Sequence, residues 1–212
     1  MKTDDLIEAL VQDAPRPQRS IATRVLGATV LGTLVAGTLF ALSLGVRPDI
    51  GTALETWRFV FKLMLSLICV ACAWWACLEL ARPEVRLRDV AGWIVVPLAL
   101  LAVAVLYELT AMPPARWYDL AAGNYAGTCL LAIPILSIVP LTALLMALRT
   151  GAPRVPASAG AVAGLLAGGL SAALYATHCP DDSPLFVAVW YTLAVGLVTL
   201  TGAVAGRRVL RW

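Results

Sequence analysis

Charge is what this sequence has least of. Of its 212 residues only 14% are Asp, Glu, Lys or Arg, one is histidine, and 60% are apolar. A soluble domain of this length has too little interior to hide that much apolar surface. A single histidine leaves little for acid–base catalysis. The chain also lacks a phosphate-cradling glycine loop, an HExxH metal motif and a Ser/His/Asp set. Its few basic residues are scattered rather than clustered, which excludes direct nucleic-acid binding. Nothing in the chain asks for a cofactor.

What is present is a series of long apolar runs. A membrane-crossing helix needs roughly 20 such residues, and six stretches qualify: about Val25–Gly45, Phe59–Leu80, Val90–Thr110, Gly127–Leu148, Ser158–Ala176 and Leu185–Ala205. A transmembrane β-barrel would show short segments of alternating polarity instead. The expected class is therefore all-α: a polytopic membrane protein with six helices. The first run follows about 24 mostly polar residues and exceeds the usual length of a signal-peptide core. It reads as a retained helix.

The sixteen basic residues sort by side. Assigning segments in alternation leaves Arg47, Arg58, Lys62 and Arg116 on one face and the other twelve on the opposite one. The positive-inside rule makes the richer face cytoplasmic. An even number of spans then places both termini inside. Two units follow: a cytoplasmic segment, residues 1–24, and a six-helix membrane domain, residues 25–212, with short loops.

Residues 1–24 have a pattern of their own. Thr3 suits an N-cap, and Asp4 and Asp5 suit the positive end of a helix dipole. Leu6, Ile7, Leu10 and Val11 then share one face, before Pro15 and Pro17 stop the helix. Such a helix fits a groove on a partner, or lies against the protein's own loops or the headgroups. Within the bilayer, Gly160, Gly164 and Gly168 repeat a small-residue spacing in the fifth run. Ala28, Gly32 and Ala36 do so in the first. These faces allow close helix approach, within the monomer first and in a homo-oligomer second.

Five cysteines remain to be placed. Cys69, Cys72 and Cys77 lie deep in the second run and read as small hydrophobes. Cys129 falls near the outer end of the fourth run, and Cys179 lies in the outer loop His178-Cys179-Pro180-Asp181-Asp182-Ser183-Pro184. Facing an oxidising compartment, the pair can form a disulfide. With His178 beside it, it can also offer a soft metal a ligand set of Cys129, Cys179 and His178, with Asp181 and Asp182 adding acidic character. Two unconnected thiols, or a static disulfide with a purely structural job, are the plain alternatives. Charged residues in a membrane helix need partners, and Lys62 and Glu108 sit at similar depth near the outer surface. They are expected to pair.

At these residues the chain resembles a known family. The start Met1-Lys2-Thr3-Asp4-Asp5-Leu6-Ile7, the Trp57-Arg58-Phe59 with Lys62, and the loop HCPDDSPLF followed by Trp190-Tyr191 are similar to the NrsF-type membrane anti-sigma factors of proteobacteria. The resemblance covers essentially the whole chain. It implies an inner-membrane protein that holds an extracytoplasmic-function sigma factor and releases it on a periplasmic stress, heavy metal or oxidant. It assigns sensing to Cys129 and Cys179, and sigma-factor binding to the segment around Asp4, Asp5, Leu6, Ile7 and Leu10, helped by the loop at 82–89. Two other classes were weighed. A small transporter needs polar groups at mid-membrane, which are nearly absent. A membrane thiol oxidoreductase needs a relay of paired external cysteines, and two cysteines in separate loops cannot supply one.

Overall fold

A computed structural model describes residues 20–82, 84–151 and 153–211. Among them six helices are long and apolar enough to cross a membrane, and no strand is found. They are α1 (Ile21–Ser43), α2 (Trp57–Leu80), α3 (Leu87–Ala111), α4 (Ala126–Leu148), α5 (Pro156–Ala176) and α6 (Pro184–Val209). The expected six-span, all-helical class is found. Residues 1–19, with the candidate contact residues Asp4, Asp5, Leu6, Ile7 and Leu10, lie outside the described residues.

Most helices begin before the apolar run that announced them, because polar residues make the first turn. The Ser20 hydroxyl accepts from Thr23 N and caps α1. The Asp89 carboxylate accepts from Arg86 N at 2.9 Å and caps α3. Pro156 opens α5 and Pro184 opens α6, where a missing N–H costs nothing. Between the runs, connections at one end carry short helices of their own, Ile50–Ala53 and Trp117–Ala122.

Helix α5 is the axis of the bundle. It packs most extensively on α6 and α2, and then on α4; α1 rests on α4, and α3 on α2. Its glycines make that possible. A Cβ on Gly164 would lie 2.5 Å from the Val198 carbonyl oxygen and 2.8 Å from Thr199 Cα. A Cβ on Gly206 would lie 2.6 Å from Pro156 O and 2.8 Å from Gly160 Cα. Without side chains at these positions two backbones touch, and van der Waals contact substitutes for a hydrophobic drive that lipid does not provide. The small-residue face of α5 is thus used inside the monomer, as is that of α1, where Gly32 abuts Pro140 of α4. Large apolar side chains such as Leu34, Val103, Leu131 and Met146 point outward, as they should where the solvent is hydrocarbon. The chain is a multi-pass membrane protein.

Candidate functional site

The connections at 44–56, 112–125 and 177–183 meet at one end of the bundle, and the last of them is the centre. Helix α5 ends at Ala176, and three residues later the chain turns into the bundle at Cys179. It leaves through Ser183, whose hydroxyl accepts from Leu185 N at 3.2 Å, with Pro184 at the first position of α6. The sequence Asp-Ser-Pro is therefore a helix start as well as a loop.

Three charged residues hold this loop down. Lys62, fully buried on α2, donates from Nζ to the Cys179 carbonyl at 2.7 Å and to the Asp181 carbonyl at 3.4 Å. It also pairs with the Asp182 carboxylate. Asp182 in turn binds Arg47 at 2.8 Å, and Arg47 binds Asp49 at 2.6 Å. The hydrogen bond to Asp49, and then Asp182, hold the Arg47 guanidinium even more firmly protonated than usual. The same bond to Arg47 brings the Asp49 carboxyl down to about 2. The third anchor is Asp181, whose Oδ2 accepts from Asn124 N and Tyr125 N at 2.8 Å each, just ahead of α4. The chain can turn there because Gly123 adopts φ +58, with the Phe186 ring packed where a Cβ would be. Asp181→Ala removes two charge-assisted acceptor contacts and is expected to cost about 2 kcal/mol, read as a lowered midpoint of unfolding in detergent.

Beneath the loop lie both thiols. Cys129 and Cys179 are fully buried in one apolar cluster with Ile133, Tyr175, Phe186 and Tyr191. Among the described residues all five cysteines are free. The Tyr175 hydroxyl sits beside the Cys179 thiol, and the rings of Tyr175 and Tyr191 stack at 6.0 Å. Burial pushes the Cys179 thiol up, an effect that the nearby Lys62 charge opposes. Only a thiolate attacks or ligates readily, and burial disfavours that form of Cys179.

Two expectations need correction. Lys62 and Glu108 are both buried and ion-paired, but not with each other. Glu108 binds Arg58, Oε1 to Nη2 at 2.8 Å, while Lys62 takes Asp182. Depth explains the exchange: Lys62 lies four residues further along α2 than Arg58, roughly 6 Å at 1.5 Å per residue, and so reaches the loop above α5. The metal set also fails to assemble. Among the described residues no three His, Cys, Asp or Glu side chains converge as ligands. His178 instead places Nδ1 3.0 Å from the Gly45 carbonyl oxygen and meets Phe40 edge-on, joining the loop to α1.

The structure thus brings Cys129, Cys179, Asp181 and Asp182 to one place and turns His178 to another task. Sequence reading missed the roles of Arg47, Asn124 and Tyr175, and marked Tyr191 only as part of the Trp190-Tyr191 motif. Arg47 was visible as an outer-face cation two residues from Asp49; Asn124 and Tyr175 carry no local signal.

Comparison with known proteins agrees with this architecture. A family model described as "Negative regulator of sigma F" matches residues 10–212. The chain is 36% identical to the anti-sigma-F factor of Caulobacter vibrioides and 34% identical to the probable anti-sigma-F factor of Azospira oryzae, with all of each chain covered. No solved structure matches it. Full-length identity of this order over a six-helix membrane fold leaves one assignment: the chain belongs to the NrsF family, the negative regulators of sigma F.

Proposed function

We propose that this protein is an anti-sigma factor of the bacterial inner membrane. It holds an extracytoplasmic-function sigma factor at the cytoplasmic face and lets it go when a periplasmic oxidant or heavy metal engages Cys129 and Cys179. The observation that carries the reading is the match along the whole chain to two relatives named as anti-sigma-F factors. Charge sorting supports the orientation. Arg82, Arg86, Arg88, Arg149, Arg154, Arg207, Arg208 and Arg211 occupy the end opposite the cysteine loop, which favours a cytoplasmic basic end and a periplasmic loop. Helix α1 starts at that basic end, and the proposed sigma-binding segment is residues 1–24, through Asp4, Asp5, Leu6, Ile7 and Leu10, helped by the 82–89 connection.

The signal acts through geometry. Cys129 lies near the start of α4 and Cys179 sits between α5 and α6, so a bond between the sulfurs ties α4 to the α5–α6 pair. With His178 engaged elsewhere, a thiophilic metal rests on the same two sulfurs. The test is co-purification of the full-length protein, in detergent, with each sigma factor of the same organism. Specific capture of one, lost on Leu6→Ala with Leu10→Ala, is the expected result. Capture that survives this double change moves the contact to the 82–89 connection, and capture of none defeats the anti-sigma reading.

A further inference from the structure

Lys62 is an unusual residue for a membrane-crossing helix. It lies fully buried, five residues beyond the start of α2, and its polar contacts all go to one loop. One proton reaches the Cys179 carbonyl, another the Asp181 carbonyl, and the charge meets Asp182. The rings of Phe59 and Tyr191 enclose the ammonium at 5.6 and 6.0 Å. Neutralising Asp182 alone does not account for it, because Arg47 already binds the same carboxylate at 2.8 Å. What Lys62 adds is a grip on the two carbonyls that bracket Pro180.

That grip is placed at a boundary. On one side of the loop a polar cavity of about 640 Å³ is lined by Arg58, Asp119, Asn124, Pro180, Asp181 and Asp182, among others. On the other side lie the two thiols, with no exposure to solvent. Cys179 does not line the cavity; the next residue does. The backbone of Pro180–Asp182 is therefore the wall between water and sulfur, and Lys62 with Asp182 fastens that wall to α2.

We propose that Lys62 is a latch: it holds the 179–182 segment closed over Cys179, and its release is what makes the cysteine pair reachable by water-borne reagents. This rests on the sensing role proposed for Cys129 and Cys179, and gives that site a gate. In the latched form a reagent in the polar cavity meets Pro180, Asp181 and Asp182 but no thiol. In the unlatched form the segment lifts, and Cys179 is the first thiol uncovered. Lys62 is a positioning residue in this scheme and touches no reagent itself.

The test is alkylation of full-length protein in lipid nanodiscs by a charged, membrane-impermeant maleimide, with each cysteine followed separately by peptide mass spectrometry. Cys77, buried in α2 at the other end of the bundle, is the internal reference. Native protein should protect Cys179 as well as Cys77. Lys62→Met should raise the Cys179 rate at least tenfold with Cys77 unchanged, and Lys62→Arg should return it toward the native value. Rapid labelling of Cys179 in the native protein overturns the latch, as does continued protection in Lys62→Met. If Lys62→Met uncovers Cys77 as well, Asp182→Asn decides: exposure of Cys179 alone supports the latch, and protection or joint exposure overturns it. No sigma factor enters the assay, so a working latch in a protein that captures no sigma factor would sink only the functional reading. Capture with a Cys179 rate indifferent to Lys62 would sink only the latch.

Discussion

Gly160→Ala should unseat α6 from α5 and give the largest loss of stability of any single-methyl addition in the protein. The added Cβ would meet the Gly202 carbonyl oxygen and lie 2.8 Å from Gly206 Cα. Both are backbone atoms, so no side chain can rotate aside, and the helices must separate. Separation strips contact from the whole Gly160/Gly164 face and its partners Val198, Gly202 and Gly206. Overpacking of a tight core costs about 3 kcal/mol at its upper end, and this interface is the most extensive in the bundle. Alanine's better helix propensity offsets that by only about 1 kcal/mol. The measurement is the unfolding midpoint in detergent. The control is Gly196→Ala on α6, where no described atom lies within 4 Å of the new methyl. That change should be neutral or slightly stabilising. Equal midpoints for the two variants would mean that α5 and α6 are not held by backbone contact.

Cys129→Ser combined with Cys179→Ser should leave sigma-factor capture intact and abolish its release. Serine keeps the size of the side chain, and among the described residues neither thiol belongs to a disulfide that the change would break. Release has a thermodynamic requirement. The signal can weaken the partner's hold only by as much as it favours the non-binding conformation, and a tenfold weakening needs ~1.4 kcal/mol. A disulfide formed preferentially in one state supplies ~2–4 kcal/mol, enough for a roughly thirty- to several-hundred-fold release. The oxidant takes two electrons, and two protons leave, as the two thiols become one disulfide. Without sulfur at these positions the source of that energy is gone. A promoter read by the sigma factor should then stay silent under oxidant or metal that induces it at least tenfold in the native strain. Induction that persists in the double variant would place the sensor elsewhere.

The gate and the pair respond differently in these experiments. Loss of the latch should raise thiol reactivity and lower the threshold dose of signal, whereas loss of the thiols removes the response at any dose. Both effects can be followed on the same reporter.

How much of this was legible beforehand differs from residue to residue. The six helices were visible because a run of about 20 apolar residues is a property of neighbours in sequence, and hydrocarbon admits almost nothing else. The ends were less visible: the Ser20 and Asp89 caps and the Pro184 start lie among polar residues that a hydropathy reading assigns to loops. The glycine face of α5 was legible for the same periodic reason, but its partner was not. Gly202 and Gly206 matter only because α6 happens to be what α5 meets.

The pairing of charges lay further out of reach. Lys62 and Glu108 were both marked as membrane-helix charges needing partners, yet Arg58 took the glutamate and Asp182 the lysine. One helical turn of depth decided that exchange. Depth depends on where α2 begins and how far the 177–183 loop folds inward, and neither is written in local pattern. His178 likewise took partners that no local pattern announced, Gly45 and Phe40 at the end of α1.

Chain-local chemistry was therefore sufficient for class and span count. It could not say that Cys129 and Cys179, 50 residues apart, share one buried cluster, nor that Lys62 of α2 donates to the Cys179 carbonyl above it. Hydrophobic runs and small-residue spacing act through neighbours along the chain. Ion pairs and buried thiols act across it, and differences of a few ångströms in packing choose among partners that look equivalent in sequence.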